Sequence, residues 1–451
     1  MSLFVLAVAS SLAAAAPLAA AAPTFVADVE PILARRCQSC HRPGEVAPMS
    51  LRTYQEVRPW ARSIRRAVAA REMPPWFADP AVGRFRNDAS LTPEEIDAIV
   101  RWVDGGAPAG QNAALEPTSS TSDASYAVSG DRGSAGAEPD WRIGAPDLVV
   151  SMTESFEVPA EGVVDYVYLR MPTGLTENRW IRAIEVQPGA REVVHHIDVL
   201  VCPEGCSSAP DFAALKPGVA TILPGSPITE PPEPSDEAWV EGERTEFLTS
   251  FLPGGSPTIL PGGYAQLLPA GADLVLNIHY TPSGVATADR SRVGVVFAEP
   301  PERRVISYFL DNYAIWIPAG AAEYEVVSRA RVAREVELLA LTPHMHFRGV
   351  GAEVTVRAGD GAELPLLRVP RYDFEWQITY ELAQPRRLEA GAELRYVLRF
   401  DNSASNPANP DPGRDVPWGR QTADEMASLF VTLSVPRGVG PEDVFAARSD
   451  D

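Results

Sequence analysis

Histidine is scarce in this chain, with six in 451 residues, and cysteine is scarcer, with four. So few thiols exclude a disulfide-dense scaffold, and so few histidines make the position of each one informative. Basic charge is also short. Lysine and arginine total 39 against 60 acidic residues, a net charge of −21. That balance disfavours nucleic acid or an anionic membrane surface as a partner, since both select basic patches. Past the first two dozen residues no apolar run approaches 18, so the sequence holds no second membrane candidate. The HExxH and facial-triad spacings of zinc proteases and non-haem iron enzymes are missing as well.

What is present points to a globular, mostly β protein. Apolar residues make up 45% and charged residues 22%, which is not a disordered composition. The 43 prolines favour turns and edge strands over long helices, and the length suggests about three domains. Residues 1–22, "MSLFVLAVASSLAAAAPLAAAA", form an apolar run with Ala-x-Ala spacing before Pro23. They read as a secretory signal peptide lacking a basic n-region, which implies a periplasmic or secreted protein.

Residues 23–108 read as a small α-helical domain. Phe25, Val26, Val29, Ile32 and Leu33 fall at helical spacing. In "LTPEEIDAIVRWVDGG", Thr92 is placed to cap a helix, Pro93 to open it and Glu95 to complete a capping box; Gly105 and Gly106 stop it. Residues 109–140 are rich in Ser, Ala, Gly and Asp without periodicity and read as a flexible linker. From Trp141 onward, short strand-like runs such as "WIRAIEV", "ADLVLNIHY" and "ELRYVLRF" alternate with Pro/Gly turns. These predict two antiparallel, jelly-roll-like β-sandwiches over 141–301 and 302–440, with a seam near Glu302. The Pro-rich excursion between Cys206 and Leu267 reads as surface loop.

"CQSCH", residues 37–41, carries the C-x-x-C-H pattern that attaches c-type haem. Cys37 and Cys40 would bond the haem vinyl groups, and His41 would ligate the iron. A zinc site is disfavoured, because this domain has no further Cys or His. For the sixth ligand, Met49 stands eight residues from His41, whereas Met73 in "REMPPW" has more chain with which to cross the haem face. Reach favours Met73, and either methionine could simply pack in the core. The stretch from Gly44 to Trp76 also resembles the cytochrome c modules fused to large exported bacterial enzymes, where the MPPW methionine is the ligand.

The five remaining histidines, His195, His196, His279, His344 and His346, all lie in strand-like runs. One buried histidine is ordinarily a hydrogen-bonded core residue. Five in such positions, two pairs among them, point to metal. On a strand, His344 and His346 share one face and Met345 faces away. His195 and His196 would diverge, and could hold one ion only at a strand end or bulge. Imidazoles suit zinc, copper, nickel or iron, and a thioether would select copper. Residue patterns alone leave Met152, Met171 and Met426 open as that thioether.

Residues 141–437 resemble the ascorbate-dependent type II copper monooxygenases, the group of the peptidylglycine α-hydroxylating and dopamine β-monooxygenases. The resemblance rests on "VHHIDVL", "NIHY", "PHMHFRG" and "TADEMASLFVTL", in that order. It implies one copper on His195, His196 and His279 and a second on His344, His346 and Met426, facing each other across a solvent cleft. The second would bind O2 beside a substrate C–H bond, and the first would supply an electron. It also implies ascorbate as reductant; the fusion to a cytochrome suggests a departure, in which haem c feeds electrons to the coppers in place of, or along with, ascorbate, and the linker lets it dock and release. The substrate would be a small molecule or a peptide.

Departures narrow this. Only Cys202 and Cys206 remain after the CxxCH pair, and "CPEGC" allows a small loop-closing disulfide worth about 2 kcal/mol. Thr342 replaces the carboxylate-binding arginine of the peptide hydroxylases, and Ser428 and Phe430 replace the Asn and Tyr that follow their methionine. A glycine-extended peptide is therefore disfavoured. Glu425, beside Met426, resembles the catecholamine enzymes, where an acid could meet a substrate amine. Other readings are a haem and copper carrier without a substrate, and a zinc hydrolase.

Overall fold

A computed structural model describes residues 22–43, 45, 47–110, 141–203, 206, 210–232, 238–240, 246–253, 255–358 and 361–446. The expected leader up to residue 21 and the linker from 111 to 140 lie outside them.

The N-terminal part is helical. Helix Pro93–Asp104 begins on the capping box of Thr92 and Glu95 and ends at Gly105. Gly106 supplies the turn out of it at φ +90°, a conformation costly for any residue with a Cβ. Trp102, which the apolar stripe did not single out, is the largest side chain this helix buries; its indole N–H donates to the Pro108 carbonyl at 2.9 Å. Helix Glu30–Arg36 and helix Ala61–Ala69 pack their apolar residues into the same core.

The rest of the chain is β, in two sandwiches. One nine-stranded sheet runs through both. Its order is Leu148–Ser151, Arg292–Ala298, Arg179–Gln187, Tyr264–Leu268, Arg303–Asp311, Ser428–Pro436, Val336–His344 and Tyr380–Leu388, with Thr258–Ile259 beside Arg179–Gln187. The first half is covered by a five-stranded sheet in which Asp273–Tyr280 lies between Val167–Pro172 and Val194–Cys202. The second half is covered by a sheet built on Gly349–Arg357, Glu393–Phe400 and Tyr324–Arg331. Two separate apolar cores result, one inside each sandwich. Antiparallel pairing prevails, but the halves join through a parallel contact, Tyr264 opposite Arg303 and Ala265 opposite Arg304. Beside this join Arg304 and Glu246 form a buried ion pair at 2.7 Å.

Two expectations change here. The Pro-rich excursion is not merely surface loop. Ser226 donates its N–H to Asp424 Oδ2 at 2.9 Å, Ile228 packs on the second core, and Ala238–Trp239 adds a parallel edge strand beside Ser328 and Arg329. Proline disqualifies a segment from the middle of a sheet and leaves the edge open to it. The helical module is likewise not a free tether. Phe77 and Ala78 are buried in the second core, and Phe85 bridges Leu382 on the edge strand Tyr380–Leu388. Arg86 donates its N–H to the Glu381 carbonyl at 2.9 Å, and Ala383 donates to that of Arg84 at 2.8 Å. Cys202 and Cys206 form a disulfide.

Candidate metal centres

His195 and His196 open the strand Val194–Cys202, and His279 is the penultimate residue of Asp273–Tyr280. These strands are antiparallel, with His279 opposite His196, and the register then shifts so that Tyr280 meets Val194. His195 therefore has no cross-strand partner and turns inward beside its neighbour. The irregularity that adjacent histidines require for convergence is thus present at a strand end. The Nδ1 atom of His195 lies 3.2 Å from that of His196 and 3.2 Å from that of His279. One ligand atom from each of the three falls within 4.8 Å of the others. All three rings are buried. Burial, followed by the neighbouring imidazoles, holds His196 well below the usual histidine range and His279 at about 3. Three imidazoles whose ring nitrogens converge this closely offer their donor atoms around one point, so the donor set fits a metal ion.

His344 ends the strand Val336–His344, and His346 follows with its ring 5.2 Å away and perpendicular. Each ring has one nitrogen engaged. His344 Nδ1 lies 2.6 Å from Gln377 Oε1, and His346 Nδ1 lies 3.1 Å from the Asp424 carbonyl. Both partners are acceptors, which places the proton on Nδ1 and the lone pair on Nε2. The buried Nε2 of His346 meets no hydrogen-bond partner among the described residues. Burial holds His344 at about 4, against the pull of Gln377. Met345 points into the second core, as alternation requires. Met426 is partly buried and lines, with His344 and His196, a small pocket between the sandwiches with about 50 Å³ of accessible volume. Asp198 and Asp311 also line it, each pushed up to about 6 by burial.

Glu425, expected as a substrate contact, has both carboxylate oxygens engaged by backbone. Its side chain is fully buried. One carboxylate oxygen accepts the His346 N–H and the other the Arg348 N–H, both at 2.7 Å. The carboxylate thus ties the His344–Arg348 turn to Met426, the next residue along the chain.

The two histidine groups do not face each other across open solvent. The buried ring of Tyr166 lies 4.8 Å from His279, 5.4 Å from His196 and 5.8 Å from His346. Phe374 stacks on His195 at 5.7 Å and reaches His346 at 6.0 Å. One aromatic layer therefore separates the groups. Phe374 belongs to the connection between Glu363–Val369 and Tyr380–Leu388, which also supplies Gln377 to His344 and Glu375 to His195 Nε2 at 3.2 Å. The His195 contact holds the Glu375 carboxyl below its usual range. None of Tyr166, Phe374, Glu375 or Gln377 stands out in the sequence. The alternating tyrosines of "DYVYLRM" and the aromatic and polar residues breaking the strand pattern in "RYDFEWQITY" are the traces that could have raised them.

Cys37, Cys40 and His41 share one helical turn, with the N–H groups of Cys40 and His41 both on the Cys37 carbonyl at 3.2 and 2.9 Å. The two thiols are not joined in a disulfide. Burial, then Cys40, pushes the Cys37 thiol up to about 12. His41 Nδ1 lies 3.3 Å from the Met49 carbonyl, which leaves Nε2 to serve as a ligand. Unpaired thiols and a histidine on one turn fit covalent haem attachment. Met49 packs with Cys37 on the helical core, whereas Met73 follows helix Ala61–Ala69 and precedes the segment built into the second sandwich.

No family model matches the chain, and no curated protein does. Among solved structures it is similar to the infectious bursal disease virus Gx strain, at 8% identity and a TM-score of 0.19, over 67% of this chain and 78% of that one. The VP2 subviral particle of the same virus gives 9% and 0.17, over 66% and 73%. Likeness at that level carries no argument about fold or chemistry.

Proposed function

We propose that the protein is an exported copper-dependent monooxygenase that hydroxylates a substrate C–H bond with O2. The observation that carries this reading is the sorting of all five non-CxxCH histidines into two buried groups, one sharing its pocket with Met426. His195, His196 and His279 would hold one copper, and His344, His346 and Met426 the other. When bound, the metals would activate O2 and supply electrons, and the thioether favours the cuprous state. The protein's own part is positional. Gln377 and the Asp424 carbonyl keep both Nδ1 atoms of the pair protonated, so that Nε2 is offered. Glu425 holds His346 and Met426 in register. Phe309 and Phe430 form an apolar wall where substrate would lie. Cys37, Cys40 and His41 would carry a covalent haem c, with Met73 as sixth ligand, and haem or ascorbate would supply reducing equivalents.

The test is metal analysis and turnover on the full chain. Two coppers and one haem per chain, with O2 uptake coupled to a hydroxylated product and lost in Met426→Ala, support the reading. Zinc in place of copper would turn it toward a hydrolase. Copper and haem without O2 uptake across a broad substrate screen would turn it toward an electron or copper carrier.

A further inference from the structure

Just past the CxxCH turn the chain folds back on it at Ala47, whose N–H lies on the Cys40 carbonyl at 3.4 Å. Beside it Glu45 reaches Arg191 at 3.0 Å, and Arg42 steadies Glu45 at 2.9 Å. Arg191 is itself fixed over the Phe251 ring at 5.3 Å. It stands in the turn Ala190–Val193, which enters the strand beginning Val194-His195-His196. The Thr281 N–H, two residues past His279, closes on the Val193 carbonyl at 2.8 Å. The CxxCH loop is therefore seated on the turn from which both histidine strands leave. Opposite this contact, Trp76 meets Tyr380 edge to face at 5.1 Å and Asp79 donates its N–H to the Arg368 carbonyl at 2.8 Å, anchoring the module in the second sandwich.

We infer that the helical module is a fixed electron port for the three-histidine centre, and that Glu45 and Arg191 form its seat. This rests on the haem and copper reading above. With haem held by Cys37, Cys40 and His41 and copper by His195, His196 and His279, one electron would pass from ferrous haem to cupric copper, leaving Fe(III) and Cu(I). No bond is made or broken. Haem is re-reduced by an exported one-electron donor or by ascorbate.

The experiment is anaerobic stopped-flow on full-length protein, with haem reduced, the coppers in the cupric state, and haem absorbance followed. The expected result is first-order haem oxidation at a rate independent of protein concentration, kept in His346→Ala and lost in His279→Ala. Arg191→Glu should slow it about fivefold by opening the seat, with haem content unchanged, and Glu45→Arg in the same chain should restore it. A rate that scales with concentration, or one indifferent to Arg191→Glu, overturns the inference and leaves the two-copper reading standing. Absence of covalent haem or copper overturns both. A cofactor-independent arm inserts a protease site at residue 125 and cuts it. The module should co-elute with the sandwiches, and its release would overturn the fixed seat.

Discussion

Replacing Glu425 by glutamine separates the two tasks its carboxylate could perform. Each of its oxygens accepts a backbone N–H at 2.7 Å, from His346 and Arg348. An amide nitrogen cannot accept, so the near-isosteric variant orphans one of those buried N–H groups, at about 1–3 kcal/mol. Arg348 is also fully buried, with Nη1 4.0 Å from Glu425 Oε1. Removing one partner of a buried pair costs about 3–5 kcal/mol. Two facts pull that figure down. Arg348 keeps the Asn402 side chain at 2.8 Å and the Ala423 carbonyl at 3.0 Å, and burial pushes the Glu425 carboxyl up to about 7, so part of the population is uncharged there. A net loss of about 3 kcal/mol follows, which lowers the midpoint of a 451-residue chain unfolding as one unit by about 3 °C. Calorimetry and urea unfolding of copper-free protein measure it. Copper affinity at the His344, His346 and Met426 group should fall too, because two of its three members hang from this carboxylate. A variant within about 0.5 kcal/mol of the parent, with the Michaelis constant of an amine substrate raised, would refute the reasoning and return Glu425 to a substrate-binding role.

Gln377→Leu leaves His344 Nδ1 without its acceptor and should weaken copper at that pair about 10-fold or more, read by competition with a chromogenic chelator. The buried Tyr166 hydroxyl has no hydrogen-bond partner, so Tyr166→Phe should change stability by less than about 0.5 kcal/mol, whereas Tyr166→Ala should lose about 3–5 kcal/mol as the ring between the histidine groups is emptied; denaturant titration distinguishes them. Glu246 gives a pH dependence. Burial pushes its carboxyl up to about 7 from an ordinary value of 4.5, against the pull of Arg304. Between those values the folded chain holds the proton that the unfolded chain has released, so stability falls as pH rises through the window. Unfolding midpoints from pH 4 to 8 should show a downward step in the parent that is smaller in Glu246→Gln.

Local chemistry was legible where one segment carries the whole instruction. Thr92, Pro93 and Glu95 specify a helix start without reference to the rest of the chain, and alternation sends Met345 into the core for any strand through His344. The spacing of Cys202 and Cys206 made their disulfide readable for the same reason. What stayed hidden depends on pairing between distant segments. Nothing in "GGYAQLL" says that Tyr264 will lie beside Arg303 in parallel, and nothing around Phe85 says that it will meet Leu382. The partners of Glu425 were hidden for the same reason: Met426 is its neighbour in sequence, whereas its oxygens accept from amides nearly eighty residues upstream. The aromatic rings between the histidine groups stayed hidden because Tyr166 and Phe374 come from segments that carry no metal ligand.

The closed arrangement follows from how the two halves are joined. Had they been linked only by residues 299–302, the histidine groups could separate by a hinge. Instead the large sheet passes through the seam, so that relative rotation would break the parallel pairing at Tyr264 and Ala265. The buried Arg304–Glu246 pair stands beside it, and parting those charges would leave both unpaired away from water. On the histidine side, Tyr166 donates its N–H to Gln421 Oε1 at 2.7 Å, and Gln421 Nε2 donates to the Leu223 carbonyl at 2.9 Å. Each is a cross-sandwich bond whose loss would orphan a polar group at the seam. Hinge opening would have to break all of these together. The spacing of the two centres is therefore a property of one continuous lattice, and the strap 370–379, which touches His195, His344 and His346 at once, tunes the centres within that spacing instead of setting it.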